Sequence, residues 1–279
     1  MHRLTTTLGS LLLAAVLSWP AVAPAAPALA PTGPQGRIVE TRGLRLWYEL
    51  RGSGAPLLLL HGGAGNSRQF EKQVPAFEKT RTLILPDCCC QGRTTCREDR
   101  LTYHEMAEDM LALLDSLGVR QVDVMGWSDG GNIGLDLAMH HPERIRRLVT
   151  FGANFSPAGL QDADRAWGAR ATPDSLGPAT RAGWVALAPD TTRYEQAMTR
   201  VLELWRTLPD WTSADLARIR ARVLVCAGEH DVIRREHTQA LAAAIRGARV
   251  WIVPGASHGA MLEKPELVNP RVLEFLSAR

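Results

Sequence analysis

Lysine is scarce: Lys72, Lys79 and Lys264 are the only three in 279 residues, so nearly all of the 32 basic side chains are arginine. They form no block interleaved with aromatics, and 29 acidic residues leave a formal charge of only +3, so nucleic acid is not an expected partner. The arginine bias reads as genome composition rather than a binding surface. No apolar run approaches the ~20 residues needed to span a bilayer, so no stable membrane anchor is expected. No internal repeat is visible. Disorder is excluded, because 46% of the residues are hydrophobic and 22% charged. What remains is a globular chain with room for one large domain or two small ones. Five cysteines stand out against this background, because Cys88, Cys89 and Cys90 are consecutive.

The first residues follow their own logic. His2 and Arg3 make a positive start, an apolar run follows from Leu11 to Leu17, then Pro20 and an Ala/Pro-rich stretch to Ala30. That is the order of a secretory signal: charged region, short apolar region, small-residue cleavage site. Proline just after the cut usually blocks signal peptidase, so cleavage is expected after Ala28, with Ala25 as the alternative. Residues 1–28 are read as a signal peptide and the mature chain as secreted or periplasmic.

Beyond the leader, strand and helix signals alternate, which implies an α/β fold. Leu44, Leu46, Tyr48 and Leu50 alternate with polar neighbours, as an antiparallel strand near a sheet edge should. Apolar runs follow at Leu57 to Leu60, Leu83 to Leu85, Val122 to Met125, Leu148 to Phe151, Val223 to Ala227 and Val250 to Val253, the pattern of parallel strands buried on both faces. The clearest helix opens at Thr102 with Glu105 three residues later, a capping box, and its apolar face is Met106, Met110, Leu113, Leu114 and Leu117 before Gly118 stops it. From about 154 to 209 the alternation breaks. That interval holds weak helical patterning with tryptophans at 167, 184, 205 and, just beyond, 211, and is read as a helical cap over the strand ends.

Gly126-Trp127-Ser128-Asp129-Gly130 follows one strand and precedes an apolar helical stretch. G-x-S-x-G in strand–turn–helix context sets a serine on a strained turn, clear of the sheet, at a helix N-terminus that favours developing negative charge. Asp231 comes just after the strand Val223 to Ala227, and His258 follows the strand Val250 to Val253 by a short loop. Serine, then acid, then histidine gives a nucleophile, an orienting carboxylate and a general acid–base. Leu57 to Leu60 runs into His61-Gly62-Gly63-Ala64-Gly65, which offers backbone N–H groups. Gly63 and Asp129 are the expected oxyanion-hole donors. As a phosphate loop the same cluster fails, lacking the Gly-Lys-Ser/Thr ending and the G-x-G-x-x-G spacing. His61 and His230 are expected to shape loops, and His104 and the pair His140-His141 to be solvated on helices.

From about Gly43 onward the chain resembles the α/β-hydrolase superfamily. Within it, Gly-Trp-Ser-Asp-Gly-Gly at 126–131 and Phe151-Gly152-Ala153-Asn154 are similar to the valacyclovir hydrolase (biphenyl hydrolase-like) group. The resemblance implies a mostly parallel central sheet flanked by helices with a small helical cap, a serine esterase, and no cofactor. It also implies that the side chain of Asp129 binds a substrate's α-ammonium; as a plain alternative, Asp129 caps the helix behind the serine. After the strand Leu83 to Leu85 such proteins read Asp-x-Arg-Gly-x-Gly-x-Ser/Thr, whereas here the stretch is Asp87-Cys88-Cys89-Cys90-Gln91-Gly92-Arg93-Thr94. Cys89 and Cys90 stand where arginine and glycine are expected, so a guanidinium fork is lost and a positive φ angle is put in question. Adjacent cysteines bridge each other only with strain, so Cys96 is the better partner for a loop disulfide. A soft-metal thiol site is disfavoured, because neither a histidine nor a second cysteine pair stands near at zinc-site spacing, and no metal is expected. Cys226 is expected to be inert core.

The expected protein is an exported hydrolase of carboxylic esters, residues 29–279 forming one α/β-hydrolase domain with its cap at about 154–209. Ser128, Asp231 and His258 are its triad, a small-molecule ester its partner. An enol-lactonase, aminopeptidase or cofactor-free perhydrolase on the same triad is the alternative, and a non-catalytic α/β-fold binding protein the reading from another class.

Overall fold

The computed structural model describes residues 29–278 apart from Thr32 and Pro34, so the expected leader at 1–28 lies outside the described residues. Eight strands, β1 Arg37–Thr41, β2 Leu44–Arg51, β3 Ala55–Leu60, β4 Arg81–Pro86, β5 Val122–Trp127, β6 Ile145–Phe151, β7 Arg222–His230 and β8 Arg249–Ser257, form one sheet in the order β1-β2-β4-β3-β5-β6-β7-β8. Strands β4, β3, β5, β6, β7 and β8 are parallel, while β2 pairs antiparallel with both β1 and β4. The helices are α1 Val74–Phe77, α2 Tyr103–Ser116, α3 Asp129–His140, α4 Asp162–Arg170, α5 Gly177–Val185, α6 Tyr194–Thr207, α7 Ser213–Leu216, α8 Arg235–Ala244, α9 Ala260–Glu263 and α10 Pro265–Ser277.

Each strand of the sheet's middle sends alternate side chains to opposite faces, as the period of two requires. Leu58, Leu60, Ile84, Val124, Leu148 and Val225 pack with Met106, Met110 and Leu113 of α2, Ile133 and Leu137 of α3, and Leu241 of α8. Leu57, Leu59, Leu83, Met125, Val149, Phe151 and Leu224 pack on the other face with Phe77 of α1 and Val268, Val272 and Phe275 of α10. A sheet covered on both sides explains why its strands read as apolar runs rather than alternations.

Three expectations need correction. Val250 is 41% exposed, because β8 is a terminal strand with one neighbour, so this run is not buried on both faces. The run Val122 to Met125 contains Asp123, a fully buried carboxylate that accepts a hydrogen bond from Arg81 Nη1 at 2.8 Å, a pairing that offsets part of the cost of burying the charge. The capping box at α2 is half formed. Thr102 accepts from the Glu105 N–H at 3.0 Å, but the Glu105 carboxylate turns to Arg42 at 2.6 Å.

Between β6 and β7 the chain leaves the sheet and returns through α4, α5, α6 and α7. Helix α6 anchors this excursion with buried Tyr194, Met198, Val201, Leu202 and Leu204, whereas α4 buries no residue at all. No helix among the described residues is long and apolar enough to cross a membrane.

The cysteine loop carries its own staple. Cys90 is disulfide-bonded to Cys96, while Cys88 and Cys89 are free and buried. Cys90 adopts φ +65°, the left-handed conformation that glycine takes without steric cost. The expected loss of that conformation does not occur, because the loop is held from three directions. Besides the disulfide, the Cys90 N–H donates to the Thr95 carbonyl at 3.1 Å and its carbonyl accepts from the Trp184 indole at 3.0 Å. Cys96→Ser is expected to cost about 2 kcal/mol, the chain-entropy value for a loop this short. Calorimetry should find the melting temperature lowered by roughly 4–8 °C. Reductant should lower the unaltered protein equally and leave the variant unmoved; a variant melting with the oxidised parent would deny the staple its role.

Candidate active site

The turn that carries Ser128, the expected nucleophile, is built by close approach. β5 ends at Trp127 and α3 begins at Asp129, leaving Ser128 alone between them at φ +53°, ψ −118°. A non-glycine residue in that region is strained, and such strain persists only where the surroundings over-determine it. Here they do. The Ser128 N–H donates to the Phe151 carbonyl at 2.7 Å, and its own carbonyl accepts from the Asn132 N–H at 3.1 Å. A Cβ on Gly126 would overlap the carbonyl oxygen of Gly130, so strand and helix touch backbone to backbone.

Asp231 and His258 stand at the same edge of the sheet, following β7 and β8. His258 Nδ1 lies 2.7 Å from Asp231 Oδ1, with the imidazole N–H donating to the carboxylate. That carboxylate is itself fixed: Oδ1 also accepts from the Ile233 N–H at 3.0 Å and Oδ2 from the Gly228 N–H at 3.1 Å. The His258 carbonyl accepts from the Trp127 indole at 2.8 Å, tying the histidine loop to the residue beside Ser128. A Cβ on Gly152 would stand 2.6 Å from His258 Nδ1, so this position clears the space the ring occupies.

Gly63 and Asp129 come together as well. A Cβ on Gly63 would meet Cγ of Asp129 at 2.9 Å and Cζ2 of Trp205 at 2.7 Å. Asp129 is the first residue of α3, and a helix's first-turn N–H groups have no intrahelical acceptor. The turn carrying Gly63 is fastened by His61, whose Nε2 accepts from the Cys88 N–H at 2.9 Å and whose Nδ1–H donates to the Gly62 carbonyl at 2.8 Å. Both ring nitrogens are thus used in the neutral form, and burial pushes the His61 pKa down. Its neighbour Asp87, fully buried, accepts from the Ser67 and Arg93 N–H groups and from the Arg93 guanidinium at 2.7 Å. Arg93 therefore supplies a guanidinium, through Nη1 alone, to a loop in which Cys89 replaces the expected arginine.

Asp129 has partners that sequence spacing does not reveal. Tyr103 of α2 donates to Oδ1 at 2.8 Å, and the Trp205 indole of α6 donates to Oδ2 at 2.8 Å and Oδ1 at 3.0 Å. The carboxyl is 3% exposed, and burial raises its pKa against the pull of those donors. Trp205 thus brings the excursion between β6 and β7 onto the site, and Trp211 packs 6.2 Å from the Tyr103 ring. Trp184 is buried against Cys90, while Trp167 is 43% exposed and takes no part. Of the three tryptophans at 167, 184 and 205, Trp205 is the one that reaches the site, through its indole N–H.

Known proteins resemble the chain, some along most of its length. A protein named as a carbamate hydrolase, RutD, from Caulobacter sp. (strain K31) is 30% identical over 83% of this chain and 96% of its own. A 2-hydroxymuconate semialdehyde hydrolase from Pseudomonas putida is 36% identical over 42% of this chain and 43% of its own. The crystal structure of a hydrolase from Pseudomonas aeruginosa PA01 superposes with a TM-score of 0.71 at 28% identity, covering 88% of this chain and all of that one. The family model described as the alpha/beta hydrolase family matches residues 57–271, and with the eight-stranded sheet it establishes that this chain belongs to that family.

Proposed function

We propose that the protein hydrolyses carboxylic esters through an acyl-serine intermediate on Ser128, with His258 as general acid–base and Asp231 as the orienting acid. The observation that carries this reading is the strained Ser128 at the head of α3, on the sheet edge where His258 already donates to Asp231 at 2.7 Å. In the first half-reaction the Ser128 hydroxyl oxygen bonds to the acyl carbon as His258 Nε2 takes its proton. The carbonyl electron pair moves onto oxygen, facing the Gly63 and Asp129 N–H groups. When the pair returns, the C–O bond to the alcohol breaks and His258 protonates the leaving oxygen. Water then repeats the sequence on the acyl-serine, releasing the acid and restoring the hydroxyl.

Asp129 supports a finer preference, for esters of free α-amino acids. Its carboxylate is buried, and the donors it holds, Tyr103 and Trp205, are neutral, so its negative charge keeps no cationic partner among those bonds. An ammonium beside a poorly solvated carboxylate is attracted far more strongly than in water. A panel of free and N-acetylated amino-acid esters, simple acyl esters, lactones and a carbamate tests both levels. The carbamate belongs there because a relative is named for that substrate. Free amino-acid esters should be turned over faster than their N-acetyl forms, and Asp129→Asn should erase the difference. Equal rates on both would leave Asp129 as the acceptor that holds Tyr103 and Trp205; it does not serve as the helix cap, since its side chain accepts from no backbone N–H of α3. Labelling by a phosphonate at Ser128 tests the acyl-serine itself; labelling elsewhere, or none, rejects it.

The proposed setting is outside the cytoplasm, on the strength of the charged, apolar and Ala/Pro-rich order of residues 1–28. N-terminal sequencing of the mature protein should begin at Leu29 or Ala26.

A further inference from the structure

We infer that His104, Asp136 and His140 form a second site, a seat for one zinc-type divalent ion on the seam between α2 and α3. Taken one helix at a time, these residues look like solvated polar positions. Packing changes that. His104 and Glu108 are one turn apart on α2, and Asp136 and His140 one turn apart on α3, so each pair shares a helix face. The two faces meet. His104 Nδ1 lies 2.9 Å and His140 Nδ1 3.0 Å from the same oxygen, Asp136 Oδ1, and the two imidazole centroids are 4.6 Å apart. One ligand atom from each of the three residues lies within 4.8 Å of the others.

Zinc binds imidazole nitrogen at about 2.0–2.1 Å and carboxylate oxygen at about 2.0–2.2 Å, which at a tetrahedral ion sets neighbouring ligand atoms roughly 3.3–3.5 Å apart. The two nitrogen–oxygen separations here fall a few tenths of an ångström short of that, so small side-chain rotations would open the cluster around an ion. Two imidazoles with one carboxylate suit a borderline transition ion, whereas magnesium and calcium seek shells of oxygen. Burial is distributed as a ligand set needs. The Asp136 side chain is almost wholly buried, holding its charge in place, while the two histidines are partly exposed and reachable. A second carboxylate, Glu108, stands alongside, paired with His141 at 2.6 Å. His140 also forms part of the wall of a cleft of about 880 Å³, through which water can supply the remaining ligands. Without an ion the same atoms serve as a clamp: both imidazoles donate to Asp136, and His140 also lies 3.1 Å from the Asp136 carbonyl. For Nδ1 to take the metal, the proton of each neutral ring moves through water to Nε2, so the ion enters by a change of tautomer.

The site is separate from the Ser128 reading and its test does not depend on activity. Untagged full-length protein is freed of metal with EDTA, then titrated with Zn²⁺ alone by calorimetry and followed in thermal unfolding. One ion should bind per chain, and saturation should raise the melting temperature by several degrees, since a ligand that binds only the folded state stabilises it. Mg²⁺ and Ca²⁺ at equal concentration should do nothing. His104→Ala and His140→Ala should each remove the zinc-dependent rise while melting close to the parent in EDTA. Co²⁺ in place of zinc should show visible absorption bands in the parent that both variants lose. An unaltered protein that zinc leaves unmoved would overturn the site, and so would a zinc effect that survives in both variants.

Discussion

Ser128→Ala is expected to lower the turnover of every ester the unaltered protein accepts by about 10⁶-fold, the loss found when the serine of such a triad is removed. The fold should hardly notice. Alanine keeps the Cβ and thus the same strained φ of +53°, and the backbone bonds to Phe151 and Asn132 do not involve the hydroxyl. Circular dichroism and melting temperature should therefore match the parent while activity vanishes. Asp231→Asn is the companion, expected to cost about 10⁴-fold. The carboxylate accepts from His258, from the Ile233 N–H and from the Gly228 N–H. An amide offers one acceptor atom, so its NH2 group must face either a backbone N–H or the imidazole. Facing the imidazole, it would hold the ring in the wrong tautomer; turned away, it would clash with a backbone donor. Retention of more than about a hundredth of the activity in Ser128→Ala would place the chemistry elsewhere, because a lone oxyanion hole leaves far less.

The strands that carry this site could be read from the chain because their information is local. Six apolar runs fall within β3, β4, β5, β6, β7 and β8, and Ser128, Asp231 and His258 each follow directly on the last residue of a strand, β8 continuing to Ser257 where a short loop is expected. β1 leaves no apolar signature in the sequence, because Arg37–Thr41 is a short edge strand that buries none of its residues. Helix α4 is equally silent, having no buried face to impose a period. The partners of Asp129 were beyond sequence reasoning for another reason. Tyr103 stands 26 and Trp205 76 positions from it, and nothing in their own surroundings distinguishes them from other aromatics. The same applies to His104, which only the packing of α2 on α3 brings to Asp136. Cys90 shows the reverse limit. The family pattern correctly marks a position that needs a left-handed backbone, but a disulfide and a Trp184 hydrogen bond let cysteine occupy it.

Gly130→Ala should cost more than about 4 kcal/mol, well into the range reserved for severe steric or burial defects. The added Cβ would overlap the carbonyl oxygen of Leu60 and stand 2.7 Å from that of His61. Neither can yield easily. Leu60 is the last residue of β3, in register with Gly126 of β5, and β3 is hydrogen-bonded to β4 on its other side. The alternative is for α3 to lift from the sheet, which withdraws Ile133 and Leu137 from the core and carries the Asp129 N–H away from Gly63. Stability and catalysis should therefore fall together, the melting temperature by roughly 10–15 °C or more. Gly134→Ala, one turn further along α3, separates backbone from side-chain conflict: its Cβ would meet Cδ1 of Leu148 at 2.8 Å, the flexible end of a side chain. Repacking there should limit the cost to about 1–3 kcal/mol. Gly168→Ala in α4, with nothing within 4 Å, should gain a few tenths to about 1 kcal/mol from helix propensity. If the three variants melted alike, close backbone approach would not be what reserves Gly130 for glycine. If they separate in the expected order, the glycine that follows Ser128 by two residues is explained by the geometry that holds the serine out of the sheet.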